Sequence, residues 1–103
     1  MDYLIKLAKN PNTPSEVLHR LCKNCDWEIR RVVAWNPGTP AYVLYELAND
    51  MYEEVRRAVA YNKSTPADIL IELLNDSSES VRTLAVENPN CPMEIKVEYI
   101  LSS

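Results

Sequence analysis

The sequence predicts an all-α fold, an α-solenoid of about four 26-residue repeats, and three observations lead there. Asn10, Asn36, Asn62 and Asn88 recur at intervals of 26 residues, and each opens the same phrase: N-P-N-T-P, N-P-G-T-P, N-K-S-T-P and N-P-N-C-P. A fixed period of this length signals stacked supersecondary units, each too small to bury its own apolar face. Between the asparagines, apolar residues return every three and four positions, the spacing of one helical face. The third observation is compositional. One glycine against seven prolines at fixed places suits short helices punctuated by stiff turns.

The first element is half a unit at residues 2–9. Each following unit begins with a Thr-Pro helix start, in which the hydroxyl is expected to cap free backbone N–H groups and proline to take the first helical position. Glu16, three residues after Thr13, completes a capping box. The helix that follows carries Val17, Leu18, Leu21 and Cys22 in the first copy, Val43, Leu44, Leu47 and Ala48 in the second, and Ile69, Leu70, Leu73 and Leu74 in the third. A polar break comes at Asn24, Asp50 and Asp76. A second, shorter helix then carries Ile29, Val32 and Val33; Val55, Ala58 and Val59; and Val81, Leu84 and Ala85. It ends near the recurrent asparagine, whose side-chain amide bonds neighbouring backbone in a turn. A closing long helix at about 92–101 brings the expected count to eight. Whether the short helices are α or 3-10 stays open at this point.

These 103 residues read as one domain, 47% apolar and 25% charged, as an ordinary globular protein should be. Lys6 stands in the column of Val32, Ala58 and Leu84, and Lys96 in that of Leu18, Leu44 and Leu70. Lysine where interior copies are apolar is what a capping unit needs on its solvent side, so the array reads as complete. Net charge is −4 and uneven. Residues 1–35 hold six Lys/Arg against four Asp/Glu, whereas residues 36–103 hold five against eleven. That acidity argues against general nucleic-acid binding, while the polarity can orient a partner. The N-terminal stretch has no continuous apolar run of signal-peptide length, and nothing approaches a membrane span. With three cysteines in no framework spacing, a reducing, cytoplasmic setting is expected.

The stretch V-R-R-A-V-A-Y-N at residues 55–62, continuing into S-T-P-A-D-I-L-I-E-L-L-N-D through Asp76, resembles the leucine-rich repeat variant family, a relative of HEAT-type helical repeats. That family's units look like V-R-x-x-V-A-x-N-P-x-T-P-x-x-L-x-x-L-A-x-D, and the units here are longer. The resemblance implies a right-handed superhelix alternating an α-helix with a shorter, often 3-10, helix. Some members carry a separate cysteine-rich iron–sulfur module ahead of the repeats. These residues contain none, so that chemistry is not carried over.

Cys22 and Cys25 form a C-x-x-C, able in principle to bind metal or act as a redox pair, with His19 one turn before. Against this, Cys22 shares the apolar column of Ala48 and Leu74, Cys25 falls in an interhelical turn, and Cys91 occupies the threonine column more than two units away. The cysteines therefore read as structural, with no metal and no cofactor. Arg30, Arg56 and Arg82 form a column, partly doubled by Arg31 and Arg57. Such a ladder could hold phosphate. Asp50 and Asp76, six residues before Arg56 and Arg82, point instead to acid–arginine stacks tying units together. The asparagine column of Asn36, Asn62 and Asn88 joins this structural ladder. Trp27, Trp35, Tyr42, Tyr52 and Tyr61 share columns with charged residues, so all five are expected to be exposed. Exposed Trp, Tyr and Arg are the usual material of interface hot spots.

Catalysis has little support. There is one histidine, no nucleophile-plus-base arrangement, no glycine-rich phosphate loop, and Glu53 and Glu54 read as a solvated helix face. The expected function is a non-catalytic scaffold, monomeric or weakly dimeric, that binds another protein through an aromatic surface around Trp27, Trp35, Tyr42, Tyr52 and Tyr61. A nucleic-acid module using the arginine column and a metal or redox module using Cys22 and Cys25 are the alternatives.

Overall fold

The computed structural model describes residues 2–103. Eight α-helices occupy these residues: α1 (Asp2–Lys9), α2 (Ser15–Leu21), α3 (Trp27–Trp35), α4 (Ala41–Leu47), α5 (Glu53–Tyr61), α6 (Ala67–Leu73), α7 (Glu79–Glu87) and α8 (Met93–Ser102). No strand occurs among the described residues. The odd-numbered helices pack side by side in one layer, α1 on α3, α3 on α5 and α5 on α7, while the even-numbered helices lie against that layer. The resulting body measures 45 × 22 × 17 Å. Its core is the apolar set of the helical faces: Leu18, Val33, Val43, Leu44, Val55, Val59, Ile69, Leu70, Val81 and Ala85 are fully inaccessible to solvent.

Two expectations are corrected. The helix after each Thr-Pro is the shorter of its pair, with seven residues in α2, α4 and α6, and the second helix is the longer, with nine in α3, α5 and α7. The first helix stops early because the chain after Leu21 folds into a turn, with Lys23 N–H donating to the Arg20 carbonyl and Asn24 N–H to that of Leu21. All the second helices are α rather than 3-10. The threonines are not helix caps. Pro14, Pro40 and Pro66 hold the cap position and none of these helices has a side-chain cap, so the box between Thr13 and Glu16 does not form. Each threonine hydroxyl instead donates backwards, Thr13 to the Leu7 carbonyl at 2.6 Å, Thr39 to Val33 at 2.7 Å and Thr65 to Val59 at 2.6 Å. The reason is burial. These hydroxyls face the C-terminal turn of the preceding helix, where carbonyls have no intrahelical partner.

The same turn is served by the asparagines. Asn62 Nδ2 donates to the carbonyls of Ala34 (2.7 Å) and Asn36 (3.0 Å), and its Oδ1 accepts from Ser64 N–H (2.8 Å). Asn36 makes the corresponding bonds to Ala8, Asn10 and Gly38, and Asn88 those to Ala60, Asn62 and Asn90. Each amide thus uses both donors and its acceptor inside the protein. At Gly38 a Cβ would lie 2.5 Å from the Pro11 carbonyl oxygen, so a side chain there requires the loops to separate.

At the opposite end of the odd helices, arginines do the linking. Arg30 grips the Asp50 carboxylate through Nε (2.7 Å) and Nη2 (3.2 Å), and Arg56 grips Asp76 in the same way at 2.8 and 3.2 Å. The sequence pointed to Asp50 and Asp76, six residues before Arg56 and Arg82. The carboxylate partner of Arg30 and of Arg56 lies twenty residues after the arginine, and the residue six before supplies its backbone carbonyl, Asn24 to Arg30 and Asp50 to Arg56. Asp50 and Asp76 also accept N–H bonds from Tyr52 and Ser78, opening α5 and α7. Arg82 keeps only the carbonyl of Asp76, because Ser102 stands twenty residues after it.

Replacing Asn62 with alanine strands the buried Ala34 carbonyl, takes one of two donors from the Asn36 carbonyl, which keeps Thr39 N–H, and frees the half-buried Ser64 N–H. A buried unsatisfied group costs about 1–3 kcal/mol, so Asn62→Ala is expected to lower unfolding free energy by roughly 2 kcal/mol or more in urea. Asn10→Ala, which removes one exposed bond to Asn12 N–H, is expected to cost under about 1 kcal/mol. Equal losses would remove the asparagine from its role. Arg56→Met leaves the Asp76 carboxylate nearly buried and unpaired, which costs about 3–5 kcal/mol; Arg82→Met, with no carboxylate to strand, is expected to cost clearly less in the same assay.

Candidate functional site

Trp35 and Tyr61 close the C-terminal ends of α3 and α5, one residue before a ladder asparagine. Because those asparagines fix the spacing of the helix ends, the two rings meet, with centroids 5.3 Å apart and planes inclined by 39°. Each stays 51% exposed. Trp35 stands between two adjoining grooves on the odd-helix layer, and Tyr61 lines the smaller. One, of about 620 Å³, is lined by Ile5, Lys9, Glu28, Arg31, Val32 and Trp35; the other, of about 250 Å³, by Arg31, Trp35, Glu54, Arg57, Tyr61 and Leu84. Arg31 and Trp35 belong to both. Arg57 is lightly held by Glu53 at 3.4 Å on its own helix, and both side chains are substantially solvated, so this pair restrains the guanidinium little. The arrangement is an apolar floor with aromatic walls and a rim of mixed charge.

The other aromatics lie elsewhere. Trp27 is half-buried against the core rather than exposed. The charged residues in its column misled, because Tyr52 stacks on it at 5.6 Å with planes inclined by 11°, covering one face of the indole. The Arg30 guanidinium then lies 5.6 Å from the Tyr52 ring centre. This stack sits on the arginine ladder at the N-terminal ends of α3 and α5. Eight residues of helix, about 12 Å, separate Trp27 from Trp35. Tyr42 is exposed but belongs to the even helices, edge-on to the His19 ring at 5.2 Å. The single aromatic surface expected from the sequence is therefore three separate pairs, and the Trp35–Tyr61 pair lines a groove. Arg31, Val32 and Ile5, which complete that groove, carried little signal. Their columns are of mixed character, and only helix packing brings them together.

Arg30 and Arg56 are engaged by Asp50 and Asp76 and are largely buried. An arginine in a bidentate carboxylate pair is already occupied where a phosphate would have to bind. The cysteines also separate: Cys22 and Cys91 are buried and Cys25 is exposed. Cys22 Sγ donates to the His19 carbonyl at 3.0 Å. Burial, followed by the nearby Glu46 charge, pushes its thiol from 9.0 up to about 11. Glu46, from α4, bonds His19 Nε2 (2.7 Å) through Oε1 and Lys23 (2.9 Å) through Oε2. The Lys23 ammonium, with His19 adding to it, holds the Glu46 carboxyl below the usual range. No family model matches the chain, and no curated protein or solved structure matches it.

A thiol whose pKa is raised on folding stabilises the folded state fully below its unfolded value of 9.0, and that contribution disappears as pH climbs towards about 11. At about 1.4 kcal/mol per unit, wild type is expected to lose roughly 2 kcal/mol more than Cys22→Ala between those pH values. Parallel pH–stability curves for the two proteins would contradict the burial of this thiol.

Proposed function

We propose that the chain is a non-catalytic helical-repeat scaffold that binds another protein through the grooves around Trp35 and Tyr61. The observation that carries this reading is the Trp35–Tyr61 pair itself: two large rings, half exposed and in mutual contact, walling grooves that also present Arg31 and Arg57. Trp, Tyr and Arg dominate interface hot spots because they bury much area with few lost rotamers and retain polar handles. An apolar pair fixed in advance by backbone ladders also loses little entropy on binding.

The scaffold reading includes a right-handed superhelix of four 26-residue units, of the leucine-rich repeat variant or HEAT-like kind. Support comes from asparagine bonds that join residues 26 and 28 apart, and from the packing of alternate helices in one layer. The acidic residues 36–103 would steer a partner with basic segments towards the groove. Such a scaffold would act as a monomer or weak dimer in the cytoplasm. No helix of the described residues is long and apolar enough to cross a membrane.

The test is a comparison of wild type with Trp35→Ala/Tyr61→Ala in affinity capture from the source lysate. Because both rings are half exposed, the double variant is expected to keep its helical circular dichroism and most of its stability. A protein held by wild type should bind the variant at least tenfold more weakly, and raised salt should weaken capture by wild type. Identical capture by the two folded proteins would overturn the groove as the binding site. Unfolding of the variant would assign the rings to the core.

A further inference from the structure

His19, Cys22 and Glu46 are brought together by two helices that the scaffold function does not use. His19, in the last turn of α2, and Cys22, the helical C-cap residue that follows it, are three residues apart and so share one face. Glu46 comes from the neighbouring α4, 27 residues from His19 in sequence. One potential donor atom from each, imidazole nitrogen, thiol sulfur and carboxylate oxygen, all lie within 4.8 Å of one another. From these positions we infer that His19, Cys22 and Glu46 form a binding site for a zinc-class divalent metal ion, with a fourth position open to water.

Bond lengths of about 2.0–2.3 Å from nitrogen, oxygen and sulfur donors place tetrahedral ligand atoms about 3.3–3.8 Å apart. The present cluster therefore needs a contraction of about 1 Å across its widest separation and a slight opening of the 2.7 Å His19–Glu46 contact. Both adjustments fall on His19 and Glu46, whose side chains are more than a third exposed and turn without disturbing the core. Cys22 is the fixed member, anchored in the core of α2. Surrounding contacts orient the mobile pair: Tyr42 lies edge-on to the imidazole, and Lys23 holds the far carboxylate oxygen, leaving Oε1 towards His19. Support of the remaining atoms of a ligand is what gives such sites their affinity.

The donor chemistry selects the metal. Sulfur and imidazole favour zinc and its neighbours over magnesium or calcium, which take all-oxygen sets. On binding, the Cys22 S–H bond breaks and a sulfur–metal bond forms, with the proton going to solvent and the thiol giving up its bond to the His19 carbonyl. The Nε2 proton that His19 directs at Glu46 leaves to solvent, Nε2 takes the metal in its place, and the neutral ring carries its one proton on Nδ1. The thiolate and carboxylate then balance the two charges of the ion. Cys25 takes no part, standing exposed in the turn after α2.

Co²⁺ titrated into reduced, chelator-treated full-length protein is the direct probe, because thiolate ligation produces a charge-transfer band in the near ultraviolet. Wild type, Cys25→Ser and Cys91→Ser are expected to develop that band and to saturate at about one ion per chain, as three donors and one open position require. Cys22→Ser should lose the band, and Glu46→Gln should weaken binding at least tenfold. Zn²⁺ should displace Co²⁺ and raise the thermal midpoint of wild type more than that of Glu46→Gln. Absence of the band in wild type at about millimolar Co²⁺, its survival in Cys22→Ser, or its loss in Cys25→Ser alone would overturn the site. Glu46 is exposed, so Glu46→Gln keeps the test decisive even if Cys22→Ser fails to fold; unchanged affinity in that variant would also overturn the proposal.

Discussion

The constraint on which this structure depends is the fate of carbonyl groups at the C-terminal ends of short helices. A nine-residue helix leaves four carbonyls without intrahelical partners, so close to half of its acceptors need help from outside. In α3 and α5 the carbonyls of Val33, Ala34, Val59 and Ala60 accept buried side-chain hydrogen bonds where water cannot serve them. One asparagine meets the need because its amide is the smallest side chain with two donors and an acceptor on one rigid plane. At Asn62 the donors reach back to Ala34 and Asn36 while the acceptor holds Ser64 of its own turn. Glutamine would add a rotatable bond, and aspartate would turn acceptors towards carbonyls. At the same end of α3 the Thr39 hydroxyl fills a third place, on Val33. Together these bonds leave no buried side-chain polar atom without a partner among the described residues.

The arginines perform the complementary task at the other end of the odd helices. Arg30 bridges the carbonyl of Asn24 to the carboxylate of Asp50, and that carboxylate also opens α5. One carboxylate therefore sets both where the next helix starts and how far it stands from the previous one. Helices pinned at both ends in this way have little freedom to slide or twist. The packing of valine and alanine between them is a consequence: Val33, Ala34, Val55, Val59 and Ala60 are small or stiff residues in a narrow interhelical gap.

The element count, the core columns and the identity of the ladder residues were legible in the sequence because each recurs with the period. What a period does not encode is which neighbour a recurring side chain addresses. Aspartate six residues before arginine looks like a local pair, yet the Asp50 carboxylate is turned to Arg30 and Tyr52 N–H and offers Arg56 only its backbone carbonyl, so Arg56 takes the carboxylate twenty residues after it. Threonine before proline looks like a helix cap for the same reason. Its hydroxyl is a cap in isolation, and only the buried carbonyl of the preceding helix outcompetes the free N–H groups, which water can satisfy. Trp27 shows the limit from another side. Glutamate in its column at Glu53 and Glu79 indicated exposure, but a single neighbouring Tyr52 suffices to cover an indole face. The groove was the least legible part, since Arg31, Val32 and Ile5 come from two helices and only their juxtaposition has meaning.

This division of labour locates where function can reside. Positions bound to the ladders cannot vary without stranding buried polar groups, and core columns cannot vary without cavities. The outward face of the odd layer carries neither restriction. Lys9, Trp35, Tyr61 and Glu87 occupy one column there, and Ile5, Arg31, Arg57 and Thr83 another. Chemically unrelated residues at geometrically equivalent places mean that the backbone tolerates any of them. A ring at Trp35 and another at Tyr61 are then not demanded by folding. Holding two half-exposed aromatic rings in contact exposes apolar surface that lysine or glutamate at the same places would not. The ladders supply the rigidity that holds the two rings in place at adjacent helix ends.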